Sequence, residues 1–203
     1  MAASNSKRVL GRRSERGVSL VELLLSLAVL TILLIISVPT LLKAYRSYQL
    51  SDAASRFSGI LKSTRFSAIR KNASVSCQVK KTGAIWTIWV DLDGDGVAES
   101  TEPQILVTGT VSLLGSGSVP APTAIAAALG AASPAINVLS PGNATVTYDQ
   151  RGARQFAGAA SVDVFYLGNP NIPGLGFCAV VLVPSGTVQV WTAGPGGTWQ
   201  RVS

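Results

Sequence analysis

Histidine is absent from the 203-residue sequence, and acidic side chains are scarce, ten against seventeen Lys and Arg. The first absence removes the commonest general base, the usual nucleophile triads and the commonest zinc ligand. The remaining nucleophiles and carboxylates stand without a motif: Asp149 and Asp163 lack the surroundings of a glycosidase pair, and Ser185 falls in a Pro-Ser-Gly turn. The chain therefore reads as a non-enzyme that requires no cofactor. Charged residues make up only 13% against 47% hydrophobic, a composition that excludes a disordered chain and predicts one folded domain with room for a membrane element.

The positive excess is unevenly placed. Lys7, Arg8, Arg12, Arg13 and Arg16 against Glu15 put +4 of the total +7 ahead of residue 17, which weakens the general link between a basic chain and nucleic acid. After Gly17 comes a run from Val18 to Val38 whose single charge is Glu22. At 1.5 Å per residue such a helix spans roughly 31 Å, about one bilayer core, and it is too long for the apolar part of a secretory signal peptide. A carboxylate inside a membrane-length helix is costly unless paired, so Glu22 reads as functional, with snorkelling at the membrane face as the alternative. Beyond Pro39, Leu41, Leu42, Tyr45, Tyr48, Ala53, Phe57, Ile60, Leu61 and Ile69 recur at roughly helical spacing, which predicts one helix from about Val18 to Arg70. Basic residues ahead of the span predict a cytoplasmic N-terminus and a translocated C-terminal part.

A short basic leader ending in Gly17, Glu22 five residues on, an unbroken apolar stretch and Pro39 within it resemble the type IV pilins and the type II secretion pseudopilins. The resemblance implies that a prepilin peptidase cuts after Gly17 and that the new N-terminus, Val18 where the family usually has Phe, is methylated. It further implies that Glu22 pairs with the N-terminal amine of a neighbouring subunit during assembly. Opposite charges in a low-dielectric surrounding attract strongly enough to offset part of their desolvation.

Past Asn72 the pattern alternates. Segments such as "SVSCQVKK", "AIWTIWVD", "QILVTGTVSLL", "NATVTYD", "ARQFAG", "SVDVFYL", "FCAVVLV" and "TVQVWT" are rich in β-branched and aromatic residues and predict an antiparallel sheet. "KKTGA" and "PSG" suit hairpins. The stretch "GSGSVPAPTAIAAALGAASPAINVLSPG" predicts a long variable loop with room for a short helix at "AIAAALG". Cys77 and Cys178, outside the membrane, read as a disulfide closing a loop of about 100 residues, which stabilises by up to roughly 4.7 kcal/mol; two separate buried thiols are the other reading. In "DLDGDGVAESTE", Asp91, Asp93, Asp95, Glu99 and Glu102 occupy calcium-ligand positions of a twelve-residue loop with Gly96 at its sixth. A strand rather than a helix precedes it, so the alternatives are a calcium loop outside an EF-hand and a solvated acidic hairpin loop.

The cysteine, the Trp-containing strand, the Asp/Gly turn and Glu102-Pro103 look like the FimT/FimU/GspH group of minor pilins and pseudopilins, as do "VTYDQRGARQF" and the closing "CAVVLVPSGTVQVW". DNA-binding members of that group carry a Gly-Arg-x-Arg-like motif where this chain has Gly186, Thr187, Val188 and Gln189. Both arginines are missing, which counts against DNA uptake, since Lys and Arg supply most nonspecific affinity for phosphate. Arg151, Arg154 and Arg201 remain as a substitute patch or as solvated strand-edge residues.

The expected architecture is α+β: a cleaved leader over 1–17, a transmembrane and filament-core helix over 18–42, an amphipathic helix over 43–72 and a β-sheet domain over 73–203. By resemblance the protein is a minor pilin or pseudopilin that helps initiate filament assembly at or near the tip, with DNA capture during natural transformation as the alternative. The implied partners are other major and minor subunits, the prepilin peptidase and the bacterial inner membrane, the C-terminal domain lying in the periplasm before assembly.

Overall fold

The computed structural model describes residues 19–129, 136–156 and 161–202. Its contacts divide the chain into two units, Met1–Leu41 and Leu42–Ser203. The described part of the first unit is helical from Leu20 onward, with its leucines, isoleucines and valines exposed.

The helix, α1, is assigned as Leu20–Lys71, with Pro39 inside it. In its second part Leu50, Ala54, Phe57, Leu61, Thr64 and Ala68 are buried at alternating spacings of four and three, the stripe by which a helix faces a core. The broader pattern seen in the sequence is narrower in the fold: Leu41, Leu42, Tyr45 and Tyr48 are exposed, as is much of Ile69. The helix ends because Asn72 turns left-handed at φ 50°, letting Asn72 N–H donate to Ile69 O and Ala73 N–H to Ala68 O. These two bonds satisfy carbonyls that the last turn leaves open, while Arg70 and Lys71 face the negative end of the dipole.

Eleven strands follow among the described residues: β1 (Val75–Thr82), β2 (Ile85–Asp91), β3 (Gln104–Val107), β4 (Ser112–Leu114), β5 (Ile136–Val138), β6 (Ala144–Tyr148), β7 (Arg154–Gln155), β8 (Val162–Gly168), β9 (Phe177–Leu182), β10 (Val188–Ala193) and β11 (Gln200–Arg201). They form two sheets where the sequence predicted one. The first has the order β3-β2-β1-β6-β7 and the second β11-β10-β9-β8-β4. The pairs are antiparallel except β5, which lies parallel to the start of β8 while β4 takes the end of the same edge. "QILVTGTVSLL" divides at Thr108–Val111, sending β3 to one sheet and β4 to the other.

One core gathers Phe57, Leu61 and Ala68 of α1 with Cys77 and Val79 of the first sheet and Phe165, Val180 and Leu182 of the second. The Phe57 and Phe165 rings stand 4.7 Å apart, tilted by 58°. A second core lies on the other face of the second sheet, which is why every residue of β8 and β9 is buried and neither strand alternates. Its cover is the stretch the sequence marked as a variable loop. A short helix, α2 (Thr123–Ala128), inserts Ile125, Trp199 Nε1 donates to Pro120 O at 3.0 Å, and the Trp199 ring stacks on Tyr166 at 5.5 Å.

Candidate functional site

Gly17 and Val18 lie outside the described residues. Glu22 is in the first turn of α1, where a carboxylate complements the positive end of the helix dipole. Ser26 and Thr31 turn their hydroxyls back onto Glu22 O and Leu27 O, which occupies the one donor of each on an apolar helix. The best eighteen-residue window of α1 has a mean hydropathy of 2.7 and none of it is buried. By length and composition the helix can cross a membrane.

The acidic loop joins β2 to β3, a hairpin connection with no flanking helices. Asp91, Asp93 and Asp95 bring one carboxylate oxygen each to within 4.8 Å of one another. The loop is shaped by its own carboxylates: Gly94 N–H donates to Asp91 Oδ1 at 2.7 Å, Asp95 N–H to Asp93 Oδ1 at 3.2 Å and Val97 N–H to Asp95 Oδ1 at 2.7 Å. Gly94 and Gly96 supply the left-handed turns at φ 84° and 71°. Glu99 and Glu102 do not join the trio. Buried Glu102 accepts Leu92 N–H at 2.6 Å and Glu99 N–H at 3.4 Å, closing the loop base, and Glu99 accepts the Thr101 hydroxyl. Of the five expected ligands, Asp91, Asp93 and Asp95 converge, while Glu99 and Glu102 brace the loop.

The arginines do not form one patch. Arg154 is largely buried, with Nε 2.8 Å from Oδ2 of fully buried Asp163, and its other nitrogens reach the carbonyls of Thr147, Gln155 and Thr145. Asn137 Nδ2 donates to the other Asp163 oxygen at 2.8 Å, so this carboxylate is held from β5, β7 and β8 together. Arg154 thus belongs to the interior as a link between sheets, a correction to its reading as a phosphate contact. Arg151 is exposed on the turn closed by Asp149, whose Oδ1 accepts Arg151 N–H and Ala153 N–H. Arg201 pairs opposite Trp191, five residues or about 17 Å of strand from Gly186. Asp149 and Asp163 both serve structure, and the Ser185 hydroxyl meets Thr187 within its turn at 3.2 Å.

The two C-terminal motifs meet at a pair of glycines. A Cβ built on Gly186 would stand 1.9 Å from the carbonyl oxygen of Gly152, and one built on Gly152 would stand 2.7 Å from Ile69 Cδ1. Both glycines have positive φ, 79° and 76°. The turn after β6 and the turn before β10 therefore touch at backbone distance, the Ile69 and Arg65 side chains of α1 pack on Gly152, and Arg154 N–H donates across the same seam to Pro184 O at 3.1 Å. Sequence reasoning singled out both motifs without their role, because a glycine contact between two turns leaves no periodic signal.

The expected Cys77–Cys178 disulfide is not formed. Both thiols are free and buried. Cys77, on β1, sits beside Thr64, whereas Cys178, on β9, sits beside Ser51. Those helical neighbours are thirteen residues apart, about 20 Å along the axis, which is far beyond disulfide reach. Burial pushes the Cys77 thiol up to about 12 and the Cys178 thiol up to about 11, the neighbouring hydroxyls acting weakly in the opposite sense.

Residues 12–38 match the family model of the prokaryotic N-terminal methylation motif. The match covers Arg12, Arg13 and Arg16, Gly17, Val18, Glu22 and the apolar run to Val38. Among solved structures, the type IV minor pilin FimU of Pseudomonas aeruginosa strain PAO1 is similar at 14% identity, over 77% of this chain and 90% of that one, with a TM-score of 0.34. No curated protein matches.

Proposed function

We propose that this chain, which carries the prokaryotic N-terminal methylation motif, is a minor pilin or pseudopilin, a structural subunit that helps initiate a type IV pilus or a type II secretion pseudopilus at or near its tip. The observation that carries the reading is the placement of one carboxylate, Glu22, in an otherwise uncharged apolar helix that continues into a folded domain. Prepilin peptidase cleaves between Gly17 and Val18, and the amine exposed there is methylated. Glu22 lies four positions after Val18, so the amine of one subunit and the carboxylate of the next can meet when adjacent helices are offset by about 6 Å. Pairing removes the cost of leaving either charge alone among apolar side chains. Before assembly the apolar helix anchors the chain in the inner membrane, and the basic leader keeps the domain on the periplasmic side.

The trio Asp91, Asp93 and Asp95 supports a calcium site as an accessory part of this reading, the ion bracing the β2–β3 connection. DNA capture has less support, since Arg154 is committed to Asp163.

The test is incorporation in the native host. Gly17→Ala should leave an uncleaved precursor, and Glu22→Ala should be processed yet poorly recovered in filaments. Normal processing of the first variant and normal incorporation of the second would contradict the proposal.

A further inference from the structure

The first residues after the apolar span line a basic pocket. Lys43 and Arg46, three residues apart, share a face of α1, and the connection from β8 to β9 brings Ile172, Gly174 and Leu175 against that face. With Ala44 and Ser47 they line an open cleft of about 440 Å³. No acidic side chain lines it, and the next carboxylate along the helix, Asp52, is already bound to Arg56 at 2.8 Å. Tyr45 and Tyr48 lie exposed on the same few turns, as aromatic residues do at the level of lipid headgroups.

We propose that this pocket holds the headgroup of an anionic phospholipid while the subunit waits in the membrane. The inference rests on reading residues 18–42 as a membrane span. Lys43 is the first residue beyond that span, and Arg46 follows about 4.5 Å further along the axis, within the headgroup layer that borders the hydrocarbon core. A guanidinium and an ammonium on one face meet phosphate oxygens by charge-assisted hydrogen bonds. Half-buried Ile172 and Leu175 supply an apolar wall for the glycerol and the upper acyl chain. That second wall separates the site from a plain polybasic stretch, which attracts anionic lipid by charge alone. The pocket would give the globular domain a second hold on the membrane, one released when the subunit leaves for a filament.

The experiment uses the full-length protein in phosphatidylcholine nanodiscs containing phosphatidylglycerol and a photoactivatable phosphatidylglycerol analogue, with crosslinks mapped by mass spectrometry. Crosslinks are expected at residues 43–47 and 172–175, falling roughly fivefold or more in the K43Q/R46Q variant. They should also fall in L175S, which keeps every charge, and persist in K62Q/R70Q, which removes two charges further along the helix. An equal loss in K62Q/R70Q, no loss in L175S, or crosslinking of these segments to a second copy of the chain instead of to lipid would overturn the proposal. Resistance of the protein to alkaline carbonate extraction separates the two levels. A chain that is extracted contradicts the membrane span itself, whereas an inserted chain without these crosslinks contradicts the pocket alone.

Discussion

Arg154 of β7 and Asp163 of β8 form a buried ion pair, Nε to Oδ2 2.8 Å, across the two sheets. Taking both charges out of water is costly, so the pair is sustained by the three carbonyls around the guanidinium and by Asn137 on the second carboxylate oxygen. Removing one partner leaves the other charged and buried. Arg154→Ala should therefore lower stability by about 3–5 kcal/mol, read from chemical denaturation, whereas Arg151→Ala on the exposed turn should change it by less than about 0.5 kcal/mol. Equal effects at the two positions would mean that the pair is not the link between sheets.

The thiols give a second prediction. Denatured protein without reductant should titrate two free thiols, while the native protein reacts slowly at pH 8 because burial disfavours the thiolate. The same shifts set a pH dependence. Folded-state values of about 12 and 11 lie above the ordinary 9.0, so the native fold favours the protonated thiols. Their contribution is fully present below pH 9 and is lost as pH rises toward 11 and 12; Tyr166, pushed by burial from 10.0 up to about 12, adds in the same direction. Stability should fall across that alkaline window, and replacing both cysteines by Ser should reduce the pH 9–12 part of the loss.

Two glycines with similar backbone angles should respond differently to alanine. Gly83, φ 62°, has no atom within 4 Å of the added Cβ, so Gly83→Ala costs only the left-handed conformation, on the order of 1 kcal/mol. Gly186→Ala adds a collision with Gly152 O and should cost several times more, or prevent folding. Melting temperatures of the two variants measure the difference, and similar values would remove the tight seam from the account.

Calcium should raise the melting temperature of the wild-type protein, and D93N/D95N should abolish the shift, because binding to the folded state alone stabilises it by mass action. Magnesium should do less, since it demands a smaller and more regular shell than three loop aspartates provide. An unchanged melting curve in millimolar calcium would reduce the trio to a turn-forming device.

What the sequence revealed depended on whether a signal was local. The apolar run, its lone carboxylate and the left-handed Asn72 that closes α1 involve neighbours within a few residues, and the helix follows closely from them. Nine of the eleven described strands were equally legible, because β-branched residues between turn formers mark a strand wherever it goes. Membership in one sheet or two was hidden: alternation specifies which face is buried but not against what. β5 was missed because "INV" lies in an Ala/Gly/Pro-rich stretch and pairs with β8 through sequence-distant contacts. Arg154 looked like a surface cation since its partner is nine residues on and in another sheet. Spacing anticipated that Asp91, Asp93 and Asp95 converge, but it could not foretell that Glu102 would turn to the backbone of Leu92.

The central claim is that the apolar helix begins at a processed, methylated Val18 and builds a filament. Intact mass spectrometry of the protein from host membranes and from sheared surface filaments tests it most directly. The account predicts the mass of Val18 to Ser203 plus one methyl group, with no loss of two hydrogens for a disulfide. A mass that begins at Met1 in a host with an active prepilin peptidase would contradict it.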